Sequence, residues 1–114
     1  MRWAAGVLLL AVGLAVGAGG PLSEAHEGHE IISEEEAYAE GRELIELLVR
    51  RGRVPETWRA ALPERAALEM VEGVEEWHLV FRNDAEADTL RRRLYVFLNY
   101  DGQVLAANFT GKTD

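Results

Sequence analysis

The run His26-Glu27-Gly28-His29-Glu30 groups two imidazoles and two carboxylates within five residues, which is the material of a metal site. It is not the zinc-peptidase pattern, which needs two residues between the glutamate and the second histidine, on a helix, so that both imidazoles share a face. Here the spacing is His-x-x-His, with Gly28 between them and no helix yet begun. If a processed chain starts at His26, its free α-amine and its imidazole nitrogen can chelate one cation. His29 then adds a third nitrogen, and Glu27 or Glu30 an oxygen. Such donors suit Cu(II), with Zn(II) or Ni(II) weaker contenders. The competing reading is that both histidines are simply solvated in an acidic tail, because a disordered chelator must be ordered on binding. The candidate ligands are therefore His26, His29 and Glu30.

Other chemistry is sparse. His78 is the only further histidine, and beside Trp77 on a strand it faces away from the core as a surface group. There is no cysteine, which excludes thiol catalysis, thiolate metal sites and a disulfide framework. Beyond Ala25 the only serine is Ser33, which a helix start requires. No Ser/His/Asp arrangement and no phosphate-binding glycine loop is present in the sequence. The acidic runs Glu34 to Glu36 and Glu75-Glu76 are accounted for by helix-start and turn chemistry. The expectation is a protein that is not an enzyme.

The leading segment reads as an export signal. Met1-Arg2 gives a positive start, Ala4 to Ala18 is nearly all Ala, Val, Leu and Gly, and Ser23-Glu24-Ala25 sets small residues at the −3 and −1 positions of a cleavage site. Val16-Gly17-Ala18 is a second plausible site. The apolar run is shorter than the ~20 residues a membrane span needs, so cleavage leaves no stable membrane anchor. The expected organisation is a signal peptide over 1–25, a flexible His-containing leader over 26–32 and a single domain over 33–111. Its expected location is exported, either periplasmic or extracellular.

A net charge of −8 sets the class of partner. An acidic domain repels nucleic-acid phosphates and anionic lipid, so neither is expected to bind. Arg91-Arg92-Arg93 reads as a guard flanking a strand, and Arg50-Arg51-Gly52-Arg53 as a helix C-terminus.

The elements follow from pattern. Ser33-Glu34-Glu35-Glu36 is a capping box, and Ala37, Gly41, Leu44, Ile45 and Leu48 follow at helical spacing. Gly52 suits the C′ position, which predicts a helix from about Glu34 to Arg51. Pro55 suits a first-turn position of a helical turn that anchors Trp58 on the core. Pro63 breaks the next run, Leu68 to Val71 alternates, and Glu72 to Glu76 reads as a turn. Trp77 to Arg82 is a strand with Trp77, Leu79 and Phe81 on one face. Asn83 to Thr89 is a polar loop, Arg92 to Asn99 a strand, Tyr100 to Gln103 a turn, and Val104 to Phe109 the last strand. One long helix packed on about four antiparallel strands gives a two-layer α+β domain.

That arrangement directs Leu94, Val96 and Leu98 at the helix and sends Val80, Tyr95 and Phe97 to the opposite face. A lone small domain keeps such a face mainly polar. A second subunit, a partner or the folded-back leader would cover it, unless these are incidental surface residues. Val80, Tyr95 and Phe97 are the candidate partner-binding residues.

Ile32–Ala37, Trp58, Leu94–Leu98 and Ala106–Gly111, taken with the signal and the His-containing leader, resemble a family of small exported bacterial proteins of unknown function. The chain also looks like a divergent PepSY-type domain, whose usual form is a Ser-initiated helix with Glu-Glu-Ala, then strands and an Asp-Gly turn. It departs from that form in carrying Thr110-Gly111 at the chain end. The resemblance implies an extracytoplasmic binding or regulatory module, of a kind sometimes proposed to restrain peptidases, and brings no catalytic residues. The leading expectation is a non-enzymatic module engaging a protein partner or a second copy. The alternative is a copper- or zinc-binding accessory protein using His26 and His29.

Overall fold

The computed structural model describes residues 30–113 and the backbone of Val7 and Leu8. Helix α1 (Glu34–Arg50) is followed by a 3-10 turn (Glu56–Ala60), a hairpin of β2 (Leu62–Val71) and β3 (Val74–Arg82), a second 3-10 turn (Thr89–Arg91), and the strands β4 (Arg93–Asn99) and β5 (Val104–Asn108). A two-residue strand, β1 (Val7–Leu8), precedes them all. The sheet order is β1-β5-β4-β3-β2, antiparallel throughout, with α1 packed on one face. The expected α+β arrangement of one helix on four antiparallel strands is the one observed. The fifth, shortest strand comes from residues read as signal.

The helix begins where its capping box requires. The Ser33 amide donates to Glu36 Oε1 at 2.9 Å and the Glu36 amide to Ser33 Oγ at 3.0 Å. It ends at Arg50, one residue before the expected limit, because Arg51 takes the cap and Gly52 the left-handed turn at φ 69°. Two contacts tie the helix entry to the sheet: the Ile32 amide donates to the Tyr100 carbonyl at 3.0 Å, and Trp77 Nε1 donates to the Ile32 carbonyl at 3.0 Å.

Other boundaries also differ from the sequence reading. Pro55 caps the 3-10 turn instead of entering it. Strand β2 starts at Leu62 and runs through Pro63, because a bulge between Pro63 and Arg65 absorbs the missing donor. The turn after it is only Glu72-Gly73, both with positive φ (51° and 83°), so Val74 to Glu76 belong to β3. That is a two-residue hairpin connection of the primed kind, whose twist suits the paired strands.

The core lies between α1 and the sheet. Ala37, Leu44, Ile45 and Leu48 of the helix meet Leu79 and Phe81 of β3, Leu94, Val96 and Leu98 of β4, and Ala107 and Phe109. Trp58 is fully buried against them, tilted over Phe109 with ring centroids 6.0 Å apart. Among the described residues, every member of this cluster falls between Ala37 and Phe109, with Ile32 packed at its edge. Among the described residues no helix is long and apolar enough to cross a membrane.

Candidate functional site: the sheet face away from the helix

Strand alternation places Glu76, His78, Val80 and Arg82 of β3 beside Asn99, Phe97, Tyr95 and Arg93 of β4 on the face opposite α1. Val80 stands directly across from Tyr95, and His78 across from Phe97. The His78 ring meets the Phe97 ring edge-on, centroids 4.8 Å apart at 73°. The structure thus gathers Val80, Tyr95 and Phe97 into one group, with His78 added by the register. Their exposure is limited: Val80 keeps 8% and Phe97 6% of its surface, and Tyr95 is half-buried.

Charge brackets this apolar centre at both ends. At one end the bulge turns Glu64 toward β3 and β4, where its carboxylate accepts from Arg93 Nε at 2.9 Å and lies 3.4 Å from Arg82 Nη1. Arg82 also donates to Asp84 at 2.8 Å. The hydrogen bond from Arg93, helped by Arg82, holds the Glu64 carboxyl below the usual range, and the bond from Arg82 does the same for Asp84. At the other end His78 Nε2 lies 3.1 Å from Glu76 Oε1. As expected, His78 points away from the core, and it remains 31% exposed.

The chain end closes one flank. Asn108, across from Tyr95 and only 1% exposed, accepts from the amides of Thr110 (3.1 Å) and Gly111 (2.6 Å) and donates to the Lys112 carbonyl (2.7 Å). These bonds fold the tail onto Tyr95. A Cβ on Gly111 would lie 3.2 Å from the Tyr95 ring, and the residue's φ of 81° already requires glycine. Nothing in the strand pattern announced this bracket. The Asn-x-Thr-Gly spacing, with an Asx side chain able to cap a following turn, was the available signal.

The arginine run is spread over three tasks. Arg91 sits over the Phe109 ring at 4.5 Å, Arg92 donates to the Glu86 carbonyl at 2.7 Å, and Arg93 pairs with Glu64. Among the described residues, no three His, Cys, Asp or Glu side chains stand together as a metal site. His26 and His29 lie outside the described residues, and Glu30 is exposed at their boundary.

The chain belongs to a protein family of unknown function (DUF6488), whose model matches residues 3–112 and so takes in both Val7–Leu8 and the whole domain. No curated protein and no solved structure matches it.

Proposed function

We propose that this protein is an exported, non-enzymatic binding or regulatory module of PepSY-like type, engaging a protein partner or a second copy through the sheet face around Tyr95. The observation that carries this reading is the layout of that face: an apolar centre of Val80, Tyr95 and Phe97 between a Glu64–Arg82–Arg93 cluster and a Glu76–His78 pair. An apolar centre inside a polar rim is the anatomy of protein recognition surfaces. Tyr95 and His78 present the contact, beside the largely buried Val80 and Phe97.

The test compares the parent with Tyr95→Glu, both recovered from the host's exported fraction without chelator and weighed by native mass spectrometry. The expected result is a dimer or a stoichiometric protein complex for the parent and its loss in Tyr95→Glu, with helical circular dichroism unchanged. Association unaltered by Tyr95→Glu overturns the proposal. A second reading, a copper- or zinc-binding accessory protein, rests on the His-x-x-His spacing of His26 and His29. His26→Ala combined with His29→Ala separates the two, because it removes metal uptake and spares partner binding.

A further inference from the structure

The two strands that bound the four-stranded part of the sheet, β2 and β5, are built differently. β2 carries Pro63, a bulge at Glu64, and the charged residues Arg65 and Glu69, all of which oppose pairing with another chain. β5, Val104-Leu105-Ala106-Ala107-Asn108, has neither charge nor proline. Its outer side is paired antiparallel with β1, Val7 opposite Asn108 and Leu8 opposite Ala107.

The seat under that pairing is already rigid. Ala107 is fully buried, and Asn108 is fixed by its bonds to Thr110, Gly111 and Lys112. The ladder irregularity opposite Phe97 and Leu98 sets Leu105 apart from its neighbours and leaves it 47% exposed at the edge. A strand laid on an ordered template gains main-chain hydrogen bonds with little ordering cost on the acceptor side.

We propose that β5 is a strand acceptor. In the exported chain, with the N-terminal segment removed, its outer edge takes an extended, uncharged aliphatic segment of a partner protein in antiparallel register, for which Val7–Leu8 is the chain's own stand-in. This rests on the reading that export removes Val7 and Leu8. The chemistry of the partner strand follows from the occupant and the seat. The paired residues are Val and Leu, β5 offers no charge to match, and a net charge of −8 opposes an acidic strand. A second copy is a poorer occupant. Self-pairing would set Ala and Asn against the edge where Val7 and Leu8 now stand, residues less suited to a strand.

Two measurements keep the inference and its premise apart. The intact mass of the exported protein reports alone whether Val7 and Leu8 are removed. Separately, the chain from His26 onward, which contains every core residue among those described and whose folding is checked by circular dichroism, is titrated with a fluorescent peptide of residues 4–12 carrying uncharged polar linkers. Expected are saturable binding, slowed amide exchange at Ala106 to Asn108, and no binding by the same peptide with proline at positions 7 and 8. Leu105→Lys should weaken binding about tenfold or more without altering circular dichroism, because a charge at an edge opposes strand addition. Absence of binding, protection at strands other than β5, or concentration-dependent protection of β5 without peptide each overturns the proposal. The last of these outcomes would assign the edge to a second copy.

Discussion

Gly41 lies in the middle of α1 and is buried. A Cβ built there would stand 2.6 Å and 2.7 Å from two ring carbons of Phe81 and 3.1 Å from Leu79 Cδ1. Phe81 has little room to retreat. It is fully buried, Tyr38 packs edge-on against it with centroids 5.8 Å apart, and the Arg42 guanidinium covers its ring at 5.6 Å. Gly41→Ala therefore sets two effects against each other. Removing glycine from a helix interior gains about 1 kcal/mol. Overpacking a filled core costs about 1–3 kcal/mol, and contacts well under 3.0 Å with a held ring belong at the upper end. The net expectation is a loss of about 1–2 kcal/mol.

Urea unfolding followed by circular dichroism measures this directly. With an m-value of about 1 kcal/mol/M for a small domain, the midpoint should fall by about 1–2 M. Phe81→Leu removes the obstructing ring atoms, so Gly41→Ala should be less harmful in that background, with a coupling of about 1 kcal/mol. An unchanged or higher midpoint for Gly41→Ala, or strict additivity with Phe81→Leu, would refute the argument that Phe81 sets the helix–sheet separation.

Ser33→Ala removes the side-chain half of the capping box and should cost about 1 kcal/mol in the same urea assay. Asn108→Ala strips a buried group of its bonds to Thr110, Gly111 and Lys112. It should cost about 1–3 kcal/mol and speed amide exchange at Thr110 and Gly111. Glu64 and Asp84 titrate below their ordinary values in the folded chain. Their stabilisation is thus complete above those values and lost as pH falls through the folded ones, and Glu64→Gln should flatten the acid limb of a melting-temperature profile. Glu40 has the opposite sign: partial burial, then Glu43 and Glu36, raise its pKa, so its ionised form opposes folding at neutral pH. Glu40→Gln should raise the melting temperature at pH 7 and leave it unchanged near pH 3, where the parent is already protonated.

The helix was legible because its signals are local. Ser33 and Glu36 sit three apart, Gly52 ends the run, and the apolar stripe between them needs no knowledge of the sheet. Strands β3 and β4 were legible for the same reason: alternation fixes which of Trp77, Leu79, Phe81, Leu94, Val96 and Leu98 meet the helix. The errors came where a long-range partner overrides local preference. Pro63 reads as a breaker until β3 pairs around it through a bulge, and Glu72 to Glu76 reads as a turn until pairing with β2 extends β3 back to Val74. The sequence also brought Val80, Tyr95 and Phe97 to one face. Alternation alone gave no sign of how little of Val80 and Phe97 stays exposed.

The charged groups on that face show why it has one apolar centre instead of an apolar stripe running to its ends. Glu64 reaches β4 only because the bulge adds a residue to β2 before Arg65, and without it the alternation would change sides. The bulge that hid the start of β2 from the sequence reading therefore assembles a three-strand ion cluster from Glu64, Arg82 and Arg93. Repairing the bulge by deleting Glu64 should regularise β2 yet leave Arg82 and Arg93, which face each other across β3 and β4, without their shared carboxylate. Two cations opposed at one end of a sheet repel. Deletion of Glu64 should consequently destabilise the domain more than Glu64→Gln, and added salt should recover part of the loss in both. Equal stability of the deletion and the parent at low salt would show that the bulge serves only to accommodate Pro63.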